Sequence, residues 1–295
     1  RSPSRRPTGS SRGLRVYVGG CRGSMPVPGP DHSRYGGNTS SIAIGDGRGV
    51  PDLIIDAGTG IHRLASLLGG GPFRGSILLG HLHWDHIYGL PFFSAGDRPD
   101  SRVDVYMPDR EGDAGLGLAE LMAPPLFPIT PDELQGDWTF SHLQEGCRRI
   151  EGYEVQAREI PHKGGRTLGF RISDGVSTIA YLSDHSPSSL GDGPDGYGPY
   201  HEAAVFLAGD VDLLIHDAQY LESEWPTHAH FGHSTPGYAL GLAREANARR
   251  LLMFHHDPGR IDAELDRLSA EWSEVEDLEV IPAMEGQMID VNGGD

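Results

Sequence analysis

The chain has 295 residues and a net charge of −18, with 42 glycines and 22 prolines spread along it. That length allows one large domain or two small ones, and the glycines and prolines favour short strands and tight turns over a helical bundle. A surface this negative argues against long-track binding to nucleic acid or to an anionic membrane, while a local basic pocket could still admit a small phosphorylated substrate.

Residues 1–13 are basic and rich in Ser, Pro and Gly, and read as a disordered tail, which leaves 14–295 as the folded unit. Short apolar runs bounded by turn residues follow at 14–18, 41–44, 53–55, 76–79, 103–107, 153–160, 168–172, 178–182, 212–215, 250–254 and 288–291. Their length and β-branched content predict strands. Helical spacing occurs at 60–68, at 235–248 with Ser234 as N-cap and Pro236 just inside, and at 261–272. This order predicts two sheets packed face to face with helices outside, not a parallel βαβ ladder. The segments 109–147 and 186–200 read as irregular, the first as an insertion containing Ala-Pro-Pro-Leu-Phe-Pro. Two distant cysteines, Cys21 and Cys147, suit a reduced cytoplasm better than a disulfide framework, and no apolar run approaches the ~20 residues of a membrane span.

The chemistry concentrates at His81-Leu82-His83-Trp84-Asp85-His86, directly after a buried-strand run. In an extended segment alternate side chains share a face, so His81 and His83 can grip one ion. A turn into helix then swings Asp85 and His86 toward a second position. Imidazole and carboxylate at this density suit zinc first, with manganese and iron as alternatives.

This His-x-His-x-Asp-His signature resembles the metallo-β-lactamase fold superfamily, an αββα sandwich of two mixed sheets flanked by helices, with two metals at the edge between the sheets. The resemblance runs from Leu14 to Val291 and implies further roles in order. Asp56, in Leu-Ile-Ile-Asp-Ala-Gly-Thr-Gly, would brace the site. His162 would join His81 and His83 on one metal; Asp85, His86 and His255 would hold the other; Asp184 would bridge them. His256 is the alternative to His255. The stretches His216-Asp217-Ala218-Gln219 and Gly232-His233-Ser234-Thr235 resemble the ribonuclease Z branch and its small phosphodiesterases. By that resemblance His233 protonates the leaving oxygen and Asp217, where the branch usually has Glu, orients it; Asp85 completes the catalytic set. The bland alternative is that Ser234 caps a helix and His233 is solvated.

Two metals a few Å apart generate a bridging hydroxide and neutralise substrate oxygens, which suits attack on phosphorus or a carbonyl. Arg34, in a Gly-rich stretch whose backbone could meet an anion, and Lys163 and Arg166 beside His162 are candidate substrate contacts, an empty hairpin loop being the alternative for the first. Transfer-RNA-processing members of the branch often carry a long basic arm between the third His and the bridging Asp. His162 and Asp184 stand too close for one. The expected function is therefore hydrolysis of a small phosphodiester, a cyclic one included. The rivals are a lactonase or thioesterase on the same site, and a catalytically inactive binding protein. A homodimer is expected by analogy with the superfamily alone.

Overall fold

A computed structural model describes residues 13–47, 49–108, 114–187 and 200–292. Most of the expected tail and the centre of the expected 186–200 loop lie outside these residues. Among the described residues, fourteen strands form two sheets of seven. The first contains β1 (Arg15–Gly20), β2 (Ser41–Gly45), β3 (Leu53–Ile55), β4 (Arg74–Leu78), β5 (Arg102–Pro108), β6 (Asp137–Leu143) and, at its edge beside β1, β14 (Met288–Asp290). The second runs β13 (Glu279–Pro282), β12 (Arg250–Phe254), β11 (Leu213–Asp217), β10 (Thr178–Leu182), β9 (Leu168–Ser173), β8 (Tyr153–Glu159), β7 (Gly146–Ile150). Both sheets are mixed: β3 to β6 and β10 to β13 pair in parallel, and the other pairs are antiparallel.

Side-chain alternation along each strand creates the layers. Leu53 and Ile55 point between the sheets with Val16, Val18, Ile42, Phe170, Ile172, Tyr181, Ile215 and Phe254. Ile54 points the other way, onto Ile61 and Leu64 of α1 (Ile61–Leu64). On the second sheet Leu182, Leu214, Leu251 and Met253 pack outward against α4 (Glu202–Ala208), α6 (Pro236–Glu245) and α7 (Asp262–Ser273). Among the described residues there are three further short α-helices, α2 (Trp84–Ile87), α3 (Ala114–Ala119) and α5 (Trp225–His228). This is the expected αββα sandwich. No described helix is long and apolar enough to cross a membrane.

Several local expectations are corrected. The stretch at 109–147 is not irregular throughout, since β6 and the start of β7 lie in it. Both are edge strands, as is the unpredicted β13, and edges need no continuous apolar face. In β6 the half-buried Trp138, Phe140 and His142 alternate with exposed residues, so its period was present but polar. The unpredicted α4 is short and buries Ala203, Ala204, Leu207 and Ala208. Helix 60–68 is α-helical only to Leu64; a 3-10 turn over Ala65–Leu68 follows and ends on left-handed Gly69. The N-cap of α6 is Thr235, whose Oγ1 accepts the amide of Tyr238, because the Ser234 hydroxyl instead donates to the carbonyl of His185.

One buried side chain ties the two sheets together next to the site. Arg22, fully buried after β1, donates to the carbonyls of Gly36, Asp257 and Arg260. Gly23 and His256 close the same junction through backbone hydrogen bonds. Arg22→Met would leave three buried carbonyls without their donor. A loss of about 3 kcal/mol or more is expected in urea unfolding; a variant as stable as the parent would contradict this role.

Candidate metal centre

The site collects at the carboxyl ends of parallel strands, where open sheets present loops to ligands. Asp56 follows β3, His81 to His86 follow β4, Asp184 follows β10, Asp217 ends β11 and His255 follows β12. Three of these turn the chain sharply, with positive φ at Asp56 (58°), Asp184 (56°) and His255 (60°). Non-glycine residues rarely occupy this region, and such strain gathers at functional sites. Each strained residue aims its side chain across the gap between the sheets.

The side chains form two adjoining groups: His81, His83 and His162; and Asp85, His86, Asp184 and His255. In the first, His83 Nδ1 lies 3.3 Å from His162 Nε2. In the second, His255 Nε2 is 3.3 Å from both Asp85 Oδ2 and Asp184 Oδ2. Two ligands each about 2.1 Å from one tetrahedral ion stand about 3.4 Å apart, so both groups have the spacing of a shared cation. Asp184 joins them. Its Oδ1 is 3.7 Å from His81 Nε2 and from His162 Nε2, while Oδ2 is 2.9 Å from His86 Nε2. The residues expected as ligands all lie in these two groups, and it is His255, not His256, that faces them. His256 Nε2 instead donates to the carbonyl of Ala283, 3.0 Å away.

Outer hydrogen bonds fix which nitrogen each ring presents. His86 Nδ1 donates to Asp56 Oδ2 at 2.7 Å, His162 Nδ1 to the Gly232 carbonyl at 2.7 Å, and His255 Nδ1 to Gln219 Oε1 at 2.9 Å. In each case the acceptor has no proton to give, so Nε2 keeps its lone pair for the centre. Asp56 is held in turn by the Gly80 amide and the Tyr181 hydroxyl. Gly232 has φ 96°, and a side chain there would collide with Lys163 and crowd the His162 ring. Tyr181 and Gln219 escaped sequence reasoning, because Tyr181 lies inside an apolar strand and Gln219 stands where a ligand motif gives no expectation.

The Nε2 atom of His81 is buried and makes no hydrogen bond among the described residues, and that of His86 faces carboxylate oxygens, Asp184 Oδ2 at 2.9 Å and Asp85 Oδ2 at 3.3 Å. Burial pushes the pKa values of His81, His83 and His162 down, which keeps them neutral and ready to coordinate. Burial also works against charge on His86 and His255, but Asp184 and Asp85 outweigh it and hold both up, His255 at about 9. The buried carboxylates thus favour positive charge at both rings, the charge that a divalent cation would also supply. Neutral imidazoles with carboxylates in this arrangement fit divalent zinc-type cations.

Beside this cluster lies a second buried pair. His233 Nδ1 donates to Asp217 Oδ2 at 2.8 Å, and its ring stacks on that of His255 with centroids 4.9 Å apart. The shorter Asp217 therefore reaches its histidine without the extra methylene of Glu, because the Ser234 and Gln219 amides grip its other oxygen. His233 is buried, so the solvated alternative fails.

The expected substrate contacts divide. Arg34 is not at the centre: its guanidinium pairs with Asp266 on α7. The amides of its loop are occupied as well, those of Arg34 and Tyr35 by Asp262 and that of Asn38 by Glu285. Those three amides already donate to carboxylates, so the loop does not present them to a ligand anion. Arg166 lines a cavity with His81 and His83 while pairing with Glu159 and Glu145. Lys163 is exposed next to His162.

Comparison with known proteins agrees with this geometry. The family model described as a beta-lactamase superfamily domain matches residues 53–256, which span every residue of the cluster. A ribonuclease Z of Exiguobacterium sibiricum is 28% identical over 248 residues, 68% of this chain and 76% of that protein. Among solved structures, the metallo-beta-lactamase fold protein YhfI from Bacillus subtilis superposes with a TM-score of 0.65 at 20% identity, covering 94% of this chain and 98% of its own. A diphosphatase from the PhnP family gives 0.63 at 18% identity, covering 94% and 97%.

Two measurements test the centre. Asp184→Ala and His255→Ala should each lower zinc content, read by metal analysis after purification with zinc, whereas His256→Ala should retain it. Full occupancy in Asp184→Ala would overturn the bridging assignment. Zinc uptake must also displace the His255 proton, whose raised pKa favours the metal-free chain at low pH, an advantage lost as pH rises through about 9. Affinity in chelator competition should therefore climb by at least about tenfold per pH unit between roughly pH 6 and 8, and more steeply if His86 gives up a proton as well; a flat profile would contradict the exchange.

Proposed function

The chain belongs to the beta-lactamase superfamily, and from that membership we propose that it is a two-metal phosphodiesterase acting on a small phosphodiester. That it is a metal-dependent hydrolase follows from the family and from its histidine and aspartate clusters. Ribonuclease Z relatives and a diphosphatase neighbour support phosphorus as the point of attack. The observation that carries the reading is the buried Asp217–His233 pair beside the cluster.

In this reading His81, His83 and His162 hold one ion, Asp85, His86 and His255 the other, and Asp184 both. When bound, two divalent cations acidify water and neutralise the oxygens of a phosphodiester. The remaining work belongs to side chains. A cavity of about 400 Å³ opens over the centre, lined by Ser24, Leu82, His83, Trp84, Asp85, Asp184 and His233. A phosphorus seated there would lie between Asp85 and His233, both of which line the cavity. Asp85, its Oδ2 held by the Ser24 amide at 2.8 Å, accepts the proton that the attacking water gives up. As the new phosphorus–oxygen bond forms, the bond to the leaving group breaks, and His233 Nε2 supplies the proton that the leaving oxygen takes. Asp217 fixes the ring so that this proton points into the cavity.

A small substrate is supported by two features. The stretch between His162 and Asp184 is filled by β9 and β10, with no arm to hold a long polyanion. The net charge of −18 disfavours one as well.

The test compares bis(4-nitrophenyl) phosphate with lactones and thioesters. Phosphodiester turnover should dominate; lactone or thioester turnover with no phosphodiester cleavage would reject the proposal. His233→Ala should slow alkyl phosphodiesters, whose leaving groups need a proton, by about 100-fold or more, while nitrophenyl esters lose far less. Equal losses on both would remove His233 from the acid role.

A further inference from the structure

The phosphodiesterase reading leaves unexplained an apolar cavity of about 310 Å³ that adjoins the metal centre. One wall comes from the metal motif and the turn after it, through Trp84, Tyr88 and Phe92. The other comes from the Ala-Pro-Pro-Leu-Phe-Pro segment and its approach, through Leu121, Leu126 and Phe127. Phe92 and Phe127 meet edge to face across it, centroids 5.6 Å apart. No charged side chain is among its described lining residues.

These side chains are unusually open to water for their type: Trp84 is 72% exposed, Leu126 71% and Tyr88 59%. Clustered exposed apolar surface marks a binding site more often than chance. What fixes the occupant is continuity, because Trp84 lines both this cavity and the one over the metals. A ligand whose phosphorus lies between Asp85 and His233 thus has an apolar channel within reach of one ester oxygen. A second phosphate would lose its hydration there against walls that carry no charge to replace it.

We propose that this cavity takes an uncharged apolar ester group of the substrate, so that the enzyme selects phosphodiesters carrying a hydrophobic arm. The proposal rests on the phosphodiesterase reading for its reacting group. The 121–127 segment is then the specificity element, and the cluster supplies the charge while the cavity supplies the selection.

The test is calorimetric binding of two non-reacting anions, methyl(octyl)phosphinate and dimethylphosphinate, whose phosphorus carries no ester bond to break, to the zinc-loaded protein. Each buried methylene should tighten binding about threefold, so the octyl compound should bind at least about tenfold better. Leu126→Asp, a change at an exposed position, should collapse that ratio toward one. Equal binding of the two anions would overturn the proposal, and so would a ratio unchanged by Leu126→Asp. If the protein elutes as a dimer that Leu126→Asp dissociates, with equal binding of both anions, the face is an interface between copies and the proposal fails. Turnover of methyl 4-nitrophenyl phosphate, measured in parallel, separates the two readings. Its absence with the octyl preference intact would reject phosphodiester chemistry and leave the apolar subsite standing.

Discussion

Asp184 is buried to 1% exposure at the end of a central strand, and a carboxylate there cannot be left without positive charge. Much of the architecture answers that requirement. One oxygen faces His81 and His162 and the other faces His86 and His255, so a single side chain requires both sheets to end at the same level. β4 delivers two of those histidines from the first sheet, while the second sheet provides His162 from β8 and His255 from β12. The left-handed backbone at Asp184 and His255 is the local cost of aiming strand-end residues sideways into the gap. The hydrophobic layer beneath, with Tyr181 and Phe254 one turn inward, fixes how far apart those ends stand.

The histidines are held twice. His162 and His255 follow strand ends, His86 sits in α2 and His233 in the turn before α6, and each is also anchored at Nδ1 by an oxygen from another part of the chain. The anchors come from the loop after β3, the turn before α6, the segment after β11 and β11 itself. This arrangement divides orientation from coordination: outer acceptors hold the proton, and inner nitrogens keep their lone pairs. It also explains the third acidic group of the centre, Asp56, which touches no partner ligand atom but holds His86 and is itself saturated by Gly80 and Tyr181.

Much of this was legible in sequence because ligands follow strands, and apolar runs ending in His or Asp are easy to see. The run into His81 and the run into Asp184 gave both the strand and the site in one reading. What stayed hidden depends on distance in space. Gln219 gives no local sign that it will accept from His255, and Tyr181 reads as one more apolar strand residue. Arg34 misled for the opposite reason: a glycine-rich loop with a cation resembles an anion cradle, but Asp262, Asp266 and Glu285 arrive from the far end of the chain and use its donors first. Edge strands β6, β7 and β13 were missed because half their surface is solvated and their pattern is weak.

The same electrostatics constrain what can approach. A body of charge −18 repels any polyanion, and the repulsion grows with each phosphate that a ligand carries. A single phosphodiester brings one negative charge, and the cations proposed for the cluster can offset it where it lands. Further affinity then has to come from a source that the acidic surface does not oppose. Burial of apolar area is such a source, being indifferent to the sign of the field. Trp84 connects the two terms, because the residue between the histidines and Asp85 of the metal motif is also the first wall of the apolar cavity. A substrate selected by both terms is anionic at one atom and hydrophobic beyond it, and lengthening its charge would weaken it where lengthening its carbon chain would not.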